Sequence, residues 1–155
     1  MLSPEEKKEI DIELKTVPIK QGASVEALKI VQRHRGGWIS DEALHDVAEY
    51  LDMSTAELEG VATFYSLIFR KPVGRHIILI CDGMACFVMG FRTLREHIID
   101  KLGIDYGQTT SDGRFTFLPT PCIGICHYAP AMIIDEDTHL NLTPEKIDRI
   151  LEQYE

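Results

Sequence analysis

The sequence has no apolar run near the length of about 20 residues that a membrane-spanning helix needs, which excludes direct membrane insertion. Residues 1–8 contain no cationic start followed by an apolar stretch, so we expect a chain without a signal peptide that stays in the cytoplasm. Basic residues are few: 16 against 25 acidic residues give a formal net charge of −9. A sequence-independent nucleic-acid binder carries the opposite sign, so nucleic acid is not an expected partner.

The motifs of independent catalysis are also missing. The sequence contains no glycine-rich phosphate loop or P-loop, no Gly-x-Ser-x-Gly nucleophile motif, and no Cys-x-x-Cys pair of a dithiol oxidoreductase. Any flavin or nicotinamide chemistry must therefore be supplied by another chain. We expect no catalysis from the isolated chain.

Helical signals fill residues 1–72. Ser3 and Ser54 each precede a glutamate by three residues, which predicts two capping boxes, and Ser40 is a third predicted N-cap. Another helix is predicted from Ser24 to the glycine pair at 36–37. Apolar residues repeat at helical spacing after Ser40 and again after Ser54. The first series is Ala43, Leu44, Val47, Ala48 and Leu51, and the second is Leu58, Val61, Ala62, Tyr65, Ile68 and Phe69. With Pro72 as a stop, residues 1–72 are predicted to form an N-terminal helical bundle.

Residues 73–155 follow a different pattern, and the whole chain is therefore predicted to be α+β. Two short apolar, β-branched segments are predicted strands, and the first is typical of a strand buried on both faces. A helix is predicted between them, and a hairpin and a last helix after them. In chain order these elements are the strand 76–80, the helix 91–102, the strand 115–118, the hairpin strands 131–134 and 139–142, and the helix that begins at Thr143.

The four cysteines form two close pairs, Cys81 with Cys86 and Cys122 with Cys126. Each pair directly follows a predicted strand. If the two strands are parallel neighbours joined by the helix 91–102, a right-handed crossover brings both loops to one end of the sheet. Four thiolates from two loops can then converge on one site.

Three kinds of site are compatible with these spacings. A [2Fe–2S] cluster and a structural zinc ion both take four thiolates, whereas a redox-active disulfide is disfavoured without Cys-x-x-Cys. Zinc sites usually contain Cys-x2-Cys, so the wider gaps here favour the binuclear cluster, with zinc as the alternative. His127, directly after Cys126, is interpreted as a loop histidine near solvent, because the first loop has no histidine to complete a mixed His–Cys site.

From about Ser24 to Tyr154 the sequence resembles the E-subunit family of NADH:quinone oxidoreductases (respiratory complex I), which has relatives in NAD-linked hydrogenases and formate dehydrogenases. The resemblance depends on the segment 59–66, on both cysteine pairs, on Gly124 between the two cysteines of the second pair, and on Ala129-Pro130. It implies a helical N-terminal part followed by a thioredoxin-like [2Fe–2S] ferredoxin domain. It further implies that one [2Fe–2S] cluster is bound by Cys81, Cys86, Cys122 and Cys126.

The same resemblance implies an electron-transfer subunit of NADH:quinone oxidoreductase. Its partners would be the FMN- and NADH-binding subunit, which alone carries the FMN, and other peripheral-arm subunits on the cytoplasmic side of the inner membrane. The alternatives are the equivalent diaphorase subunit of an NAD-linked hydrogenase or formate dehydrogenase, and a zinc-stabilised assembly module. Asp82, Asp135, Glu136 and Asp137 are expected near the cluster loops, where they would disfavour reduction.

Overall fold

Four α-helices make up the first of two units in the computed structural model, which describes residues 1–155. This helical unit spans Met1–Pro72. Ser3 and Ser54 form both predicted capping boxes, with Glu6 and Glu57 as the reciprocal partners. The helices are α1 (Pro4–Leu14), α2 (Ser24–His34), α3 (Asp41–Tyr50) and α4 (Thr55–Phe64), and a 3-10 turn at Lys20–Ala23 precedes α2.

The core of the helical unit confirms one predicted apolar stripe and shortens the other. Every residue of the stripe after Ser40 is buried. The predicted continuation of α4 to Phe69 is wrong, because the helix ends at Phe64. The Gln32 side chain instead binds the following segment: it donates to the Leu67 carbonyl at 2.9 Å and accepts from the Phe69 N–H at 2.7 Å. This segment still buries Ile68 in the core.

The second unit, called the sheet unit, spans Val73–Glu155 and has the predicted order of strand, helix, strand, hairpin and helix. Its strands lie in the order β2 (Phe115–Thr120), β1 (His76–Cys81), β3 (Met132–Ile134) and β4 (Asp137–His139); β1 is parallel to β2, and the other neighbours are antiparallel. No helix is long and apolar enough to cross a bilayer. The elements are β1 (His76–Cys81), α5 (Met84–Val88), α6 (Phe91–Leu102), β2 (Phe115–Thr120), a 3-10 turn (Cys126–Tyr128), β3 (Met132–Ile134), β4 (Asp137–His139) and α7 (Pro144–Leu151).

The hairpin turns earlier than the sequence pattern predicts. Asp135 has a φ of +55°, and Ile134 pairs directly with Asp137 across a two-residue connection. The second strand is therefore Asp137–His139 instead of 139–142. The N–H groups of Asn141 and Leu142 donate to the carbonyls of residues 128 and 130.

One face of the sheet carries the core of this unit. Side chains that share that face through the strand register are fully buried together with apolar residues of α6 and α7. Ile77 and Leu79, on the opposite face of β1, are only partly buried, so the expectation of burial on both faces is wrong. The shared-face residues are Ile78, Ile80, Phe115, Phe117, Met132 and Ile134.

Candidate metal centre

Both cysteine pairs lie where the parallel strands β1 and β2 end. Cys81 is the last residue of β1, and Cys122 follows β2 by two residues. The first loop is fixed to the chain on both sides of it, because the Cys81 N–H donates to the Ala131 carbonyl at 3.1 Å and the Asp82 N–H donates to the Thr120 carbonyl at 3.0 Å. The fold thus brings the two pairs to one end of the sheet.

The backbones of the two cysteine loops also touch. A Cβ atom placed on Gly83 would lie 3.1 Å from the Cβ of Cys122 and 3.2 Å from its Cα. Only a residue without a side chain permits this approach undisturbed. The sequence pattern does not single out Gly83, and its position between Cys81 and Cys86 is the one available signal.

Each cysteine has its pair partner as a neighbour. The Sγ atoms of Cys122 and Cys126 are 3.2 Å apart, and Cys81 adds to the effect of burial in raising the pKa of Cys86. No three Cys, His, Asp or Glu side chains are gathered closely enough to hold a single ion. The arrangement is two pairs of sulfur atoms on adjacent loops.

The pairs differ sharply in burial. Cys81 and Cys86 are 2% and 3% exposed and belong to the core of the sheet unit. Cys86 is held there by α5, which occupies part of the region predicted as a loop. Cys122 and Cys126 are exposed. Sequence spacing contains no signal for this difference, because it arises from how α5 packs.

The surroundings of the sulfur atoms shift their proton affinities in opposite directions. Burial, together with the neighbouring Cys81 thiol, raises the pKa of Cys86 to about 11. The Gly124 N–H donates to the Cys122 sulfur at 3.4 Å and lowers the pKa of Cys122, while the neighbouring Cys122 raises the pKa of Cys126. Metals bind the thiolate form, so loading a metal here displaces protons from the chain.

The residues present fit a [2Fe–2S] cluster. Such a cluster takes four cysteine thiolates, and the chain supplies two close pairs from adjacent loops. A backbone N–H group already points at one of the sulfur atoms, from Gly124 to Cys122. Hydrogen bonds of this kind to the sulfurs tune the potential of such centres. His127 is exposed and lies against the Tyr128 ring, as predicted for a loop histidine.

Acidic residues surround the site less than expected. Asp82 directly follows Cys81. Asp135, however, accepts from the His76 ring at 2.7 Å and from the Ile77 N–H at 2.9 Å. The turn 135–137 therefore lies at the opposite end of β1 from Cys81, about 16 Å away at the usual rise per strand residue. The expectation that its acids lie near the cysteine loops is wrong.

Exposed apolar side chains stand beside the exposed pair. Together with Ala85, three of them and both exposed cysteines line an open cavity. We call the four exposed side chains of this region the apolar collar; the sequence signal for it is the apolar run on both sides of Cys86, since a short helix cannot bury every face. The collar consists of Met84, Phe87, Val88 and Met89, which are 79%, 46%, 74% and 60% exposed.

A second exposed apolar group lies in the helical unit, where α4 ends. It consists of Phe64, Tyr65 and Leu67, and we call it the aromatic knob. The rings of Phe64 and Tyr65 pack edge to face with centroids 5.4 Å apart. Exposed apolar patches of this kind commonly mark interaction sites.

The chain is similar to proteins of known family. The family model for thioredoxin-like [2Fe-2S] ferredoxins matches residues 10–155. The chain is 50% identical over 153 residues to the E subunit of the NADH-quinone oxidoreductase of Escherichia coli K12, covering 99% of this chain and 92% of that protein. It is 48% identical over 154 residues to the Pseudomonas aeruginosa PAO1 protein of the same name, again covering 99% and 92%.

A solved structure is also similar. A chain of an NAD+-reducing [NiFe]-hydrogenase in the H2-reduced state superposes with a TM-score of 0.71 at 26% identity. The match covers 81% of this chain and 21% of the hydrogenase chain. The present chain therefore spans about a fifth of that longer polypeptide.

Proposed function

Because the chain belongs to the thioredoxin-like [2Fe-2S] ferredoxin family and, within it, to the E subunits of the NADH-quinone oxidoreductases, we propose that its two cysteine pairs hold the electron-carrying centre of an NADH-oxidising complex. The chain is an electron-transfer subunit and binds a [2Fe–2S] cluster. The hydrogenase similarity fits the alternative diaphorase role, but its 26% identity is far below the 50% shared with the Escherichia coli protein.

The proposed ligands are Cys81, Cys86, Cys122 and Cys126. The observation that carries this assignment is the meeting of the two pairs at one end of the sheet, with the 3.2 Å Sγ–Sγ contact in one pair and both cysteines of the other pair buried. Zinc would use the same thiols. The family match supports the iron–sulfur centre over the zinc alternative.

The chain's own residues would set the working conditions of this centre. Burial of Cys81 and Cys86 excludes water from one side, and the Gly124 N–H supplies a hydrogen bond to the Cys122 sulfur. A bound [2Fe–2S] cluster exchanges one electron at a time, whereas NADH delivers two as a hydride. Because Cys122 and Cys126 are exposed, their side of the site is the one from which an electron donor can approach.

Replacing any one of the four cysteines with serine tests the ligand assignment. Each variant should lose most of its visible absorption and iron, because one thiolate of the set is gone. His127→Ala is the matched control, since this exposed residue adjoins Cys126 without bonding to a sulfur, and it should keep both. A Cys81→Ser chain with unchanged iron content and an unchanged reduced-state spectrum would refute the assignment at that position.

We further propose that the partner is the FMN- and NADH-binding subunit, with other peripheral-arm subunits beside it. The collar supports this, because it surrounds the two exposed sulfur atoms with apolar surface of the kind that protein partners cover. The hydrogenase similarity also supports it, since there the matching region is joined to a much longer chain. We place this subunit with its partners on the cytoplasmic side of the inner membrane, as the resemblance to the E-subunit family implies.

Charged substitutions in the two exposed patches test the docking. Val88→Asp in the collar and Phe64→Asp in the aromatic knob should each weaken association with the co-expressed flavin subunit at least tenfold, because a buried unpaired carboxylate is costly. Ile12→Asp, at an exposed apolar position of α1, should bind normally. Association measured by light scattering that is unaffected by Val88→Asp would remove the collar from the interface.

A further inference from the structure

The exposed cysteines are placed to react with each other. Their Sγ atoms are 3.2 Å apart, and a disulfide bond requires about 2.0 Å. The loop between them reverses at Gly124, whose φ is +87°. The turn that begins at Cys126 is bonded internally, since the Tyr128 and Ala129 N–H groups donate to the carbonyls of residues 125 and 126 at 3.0 and 3.3 Å. The two sulfur atoms are therefore about 1.2 Å from bonding distance.

The two cysteine pairs differ in how accessible their sulfur atoms are to a reagent in solution. Thiol–disulfide exchange requires a thiolate to meet an incoming disulfide and form a mixed disulfide. Cys122 and Cys126 line an open cavity, so a small reagent can reach either sulfur. Cys81 and Cys86 are 2% and 3% exposed, so the same reagent is excluded from them in the folded chain.

We propose that Cys122 and Cys126 form a disulfide bond in the chain that carries no cluster, by exchange with a low-molecular-weight disulfide such as oxidised glutathione. One cysteine thiolate attacks the reagent, whose S–S bond breaks and releases one glutathione thiolate. The second cysteine, already in contact, then attacks the mixed disulfide and releases the other. The two protein thiols are oxidised and lose their hydrogens, and one glutathione disulfide is reduced to two thiols.

The disulfide bond also has a consequence for the chain that carries the cluster. This consequence rests on the proposed function. Two sulfur atoms joined to each other cannot serve as thiolate ligands. Conversely, sulfur atoms engaged as ligands cannot attack the reagent. The loaded chain should therefore resist an oxidant that closes the pair in the cluster-free chain.

Trypsin separates the two pairs and makes the test direct. Cleavage after Arg75 and Arg92 gives a peptide with Cys81 and Cys86, and cleavage after Arg114 and Lys146 gives one with Cys122 and Cys126. The full-length cluster-free chain is treated with oxidised glutathione, then unfolded, alkylated with iodoacetamide, digested and weighed by mass spectrometry. Peptide 115–146 should be two hydrogens lighter and unalkylated, and peptide 76–92 should be alkylated twice.

Variants distinguish the possible outcomes. Cys126→Ser should carry one stable glutathione on Cys122, because no neighbouring thiol resolves the mixed disulfide, while Cys86→Ser should oxidise at 122–126 like the parent chain. Alkylation of both cysteines in peptide 115–146, or a bond joining the two peptides, would overturn the proposal. If the disulfide forms equally fast in the loaded chain, the disulfide proposal stands and the assignment of Cys122 and Cys126 as cluster ligands fails.

Discussion

Gly83, in the first cysteine loop, has no side chain, and its backbone packs directly against Cys122 in the second cysteine loop. Its φ of −62° is accessible to any residue, so its backbone conformation does not require glycine. The requirement is steric, because a Cβ would meet the Cα and Cβ of Cys122. The separation of the cysteine loops therefore depends on one missing methyl group.

Gly83→Ala should speed the loss of the cluster. The added methyl forces the loops apart, and overpacking of this kind costs about 1–3 kcal/mol. The rate at which visible absorption decays in the presence of an iron chelator measures the effect. Gly60→Ala is the control. A methyl group added at this position of α4 meets no other atom, and within a helix alanine is favoured over glycine by up to about 1 kcal/mol. Equal decay rates in the two variants would show that the contact with Cys122 is unimportant.

The composition of the candidate site is readable from the sequence, but its asymmetry is not. Two strand patterns, a helix between them and the handedness of crossovers suffice to bring Cys81 and Cys122 to one end of the sheet. The burial of Cys86 depends on how α5 packs against the core, and neither spacing nor periodicity encodes that contact. The exposure of the second pair, on which the disulfide proposal depends, is likewise a tertiary property.

Among the elements, the first three helices are joined by a nearly buried ion network. Arg35, at the end of α2, donates to both carboxylate oxygens of Glu6 in α1 at 2.8 and 3.0 Å and to Asp46 in α3 at 3.0 Å. Glu6 is 2% exposed. The hydrogen bonds from Arg35 hold the pKa of Glu6 below its usual range.

Glu6→Gln should lower the free energy of unfolding of the helical unit by about 2 kcal/mol. Breaking a fully buried pair costs roughly 3–5 kcal/mol, and the loss is smaller here because the Arg35 side chain is 27% exposed and keeps Asp46. Urea unfolding followed by the fluorescence of Trp38, the only tryptophan and a residue of this unit, gives the value. The exposed neighbour Glu5→Gln should change it little.

The same variant should alter the acid limb of stability. A carboxyl group with a lowered folded-state pKa stabilises the fold above its unfolded value, near 4.3, and that contribution disappears as the pH falls through the lowered value. The parent chain should therefore lose stability more steeply below about pH 5 than Glu6→Gln does. Parallel acid limbs for the two chains would contradict this origin of the lowered pKa.

Local signals locate the starts of the elements better than their ends. The capping boxes at Ser3 and Ser54 are complete within four residues, so the sequence alone predicts them. The segment that follows α4 is bound by Gln32, which is more than thirty positions away and donates to the Leu67 carbonyl, so its path has no local signal. The early hairpin turn depends on a positive φ at Asp135, which short polar residues adopt only in some contexts.

At the scale of the whole molecule, charge opposes reduction. The formal charge is −9 with neutral thiols, and an added electron makes a cluster-bearing chain more negative still. Near the site this repulsion is moderated, because the acidic turn 135–137 lies at the far end of β1 and Arg92 lies 4.9 Å from the Phe87 ring of the collar. The long-range field, rather than a local acidic cluster, is what salt can screen.

The midpoint potential of the full chain should therefore rise modestly with ionic strength. Salt screens charge over about 8–10 Å at physiological concentrations, which stabilises the more negative reduced state more than the oxidised state. A redox titration at low and high salt measures the shift. A midpoint that stays constant, or falls as salt is added, would show that net charge does not control this couple.

The crossover through α6 also imposes an order on biosynthesis. Cys86 leaves the ribosome forty positions before Cys126, an interval of about 2–8 s at usual translation rates. During that interval β1 lacks its parallel neighbour β2, and the loop that holds Asp82 lacks the Thr120 carbonyl that fixes it. Cys81 and Cys86, which are the most deeply buried cysteines of the folded chain, are thus made first and wait longest for the segments that pack around them. A nascent chain thus makes its two cysteine pairs in succession, and the hydrogen bond from Asp82 to Thr120 forms only after β2 has been made.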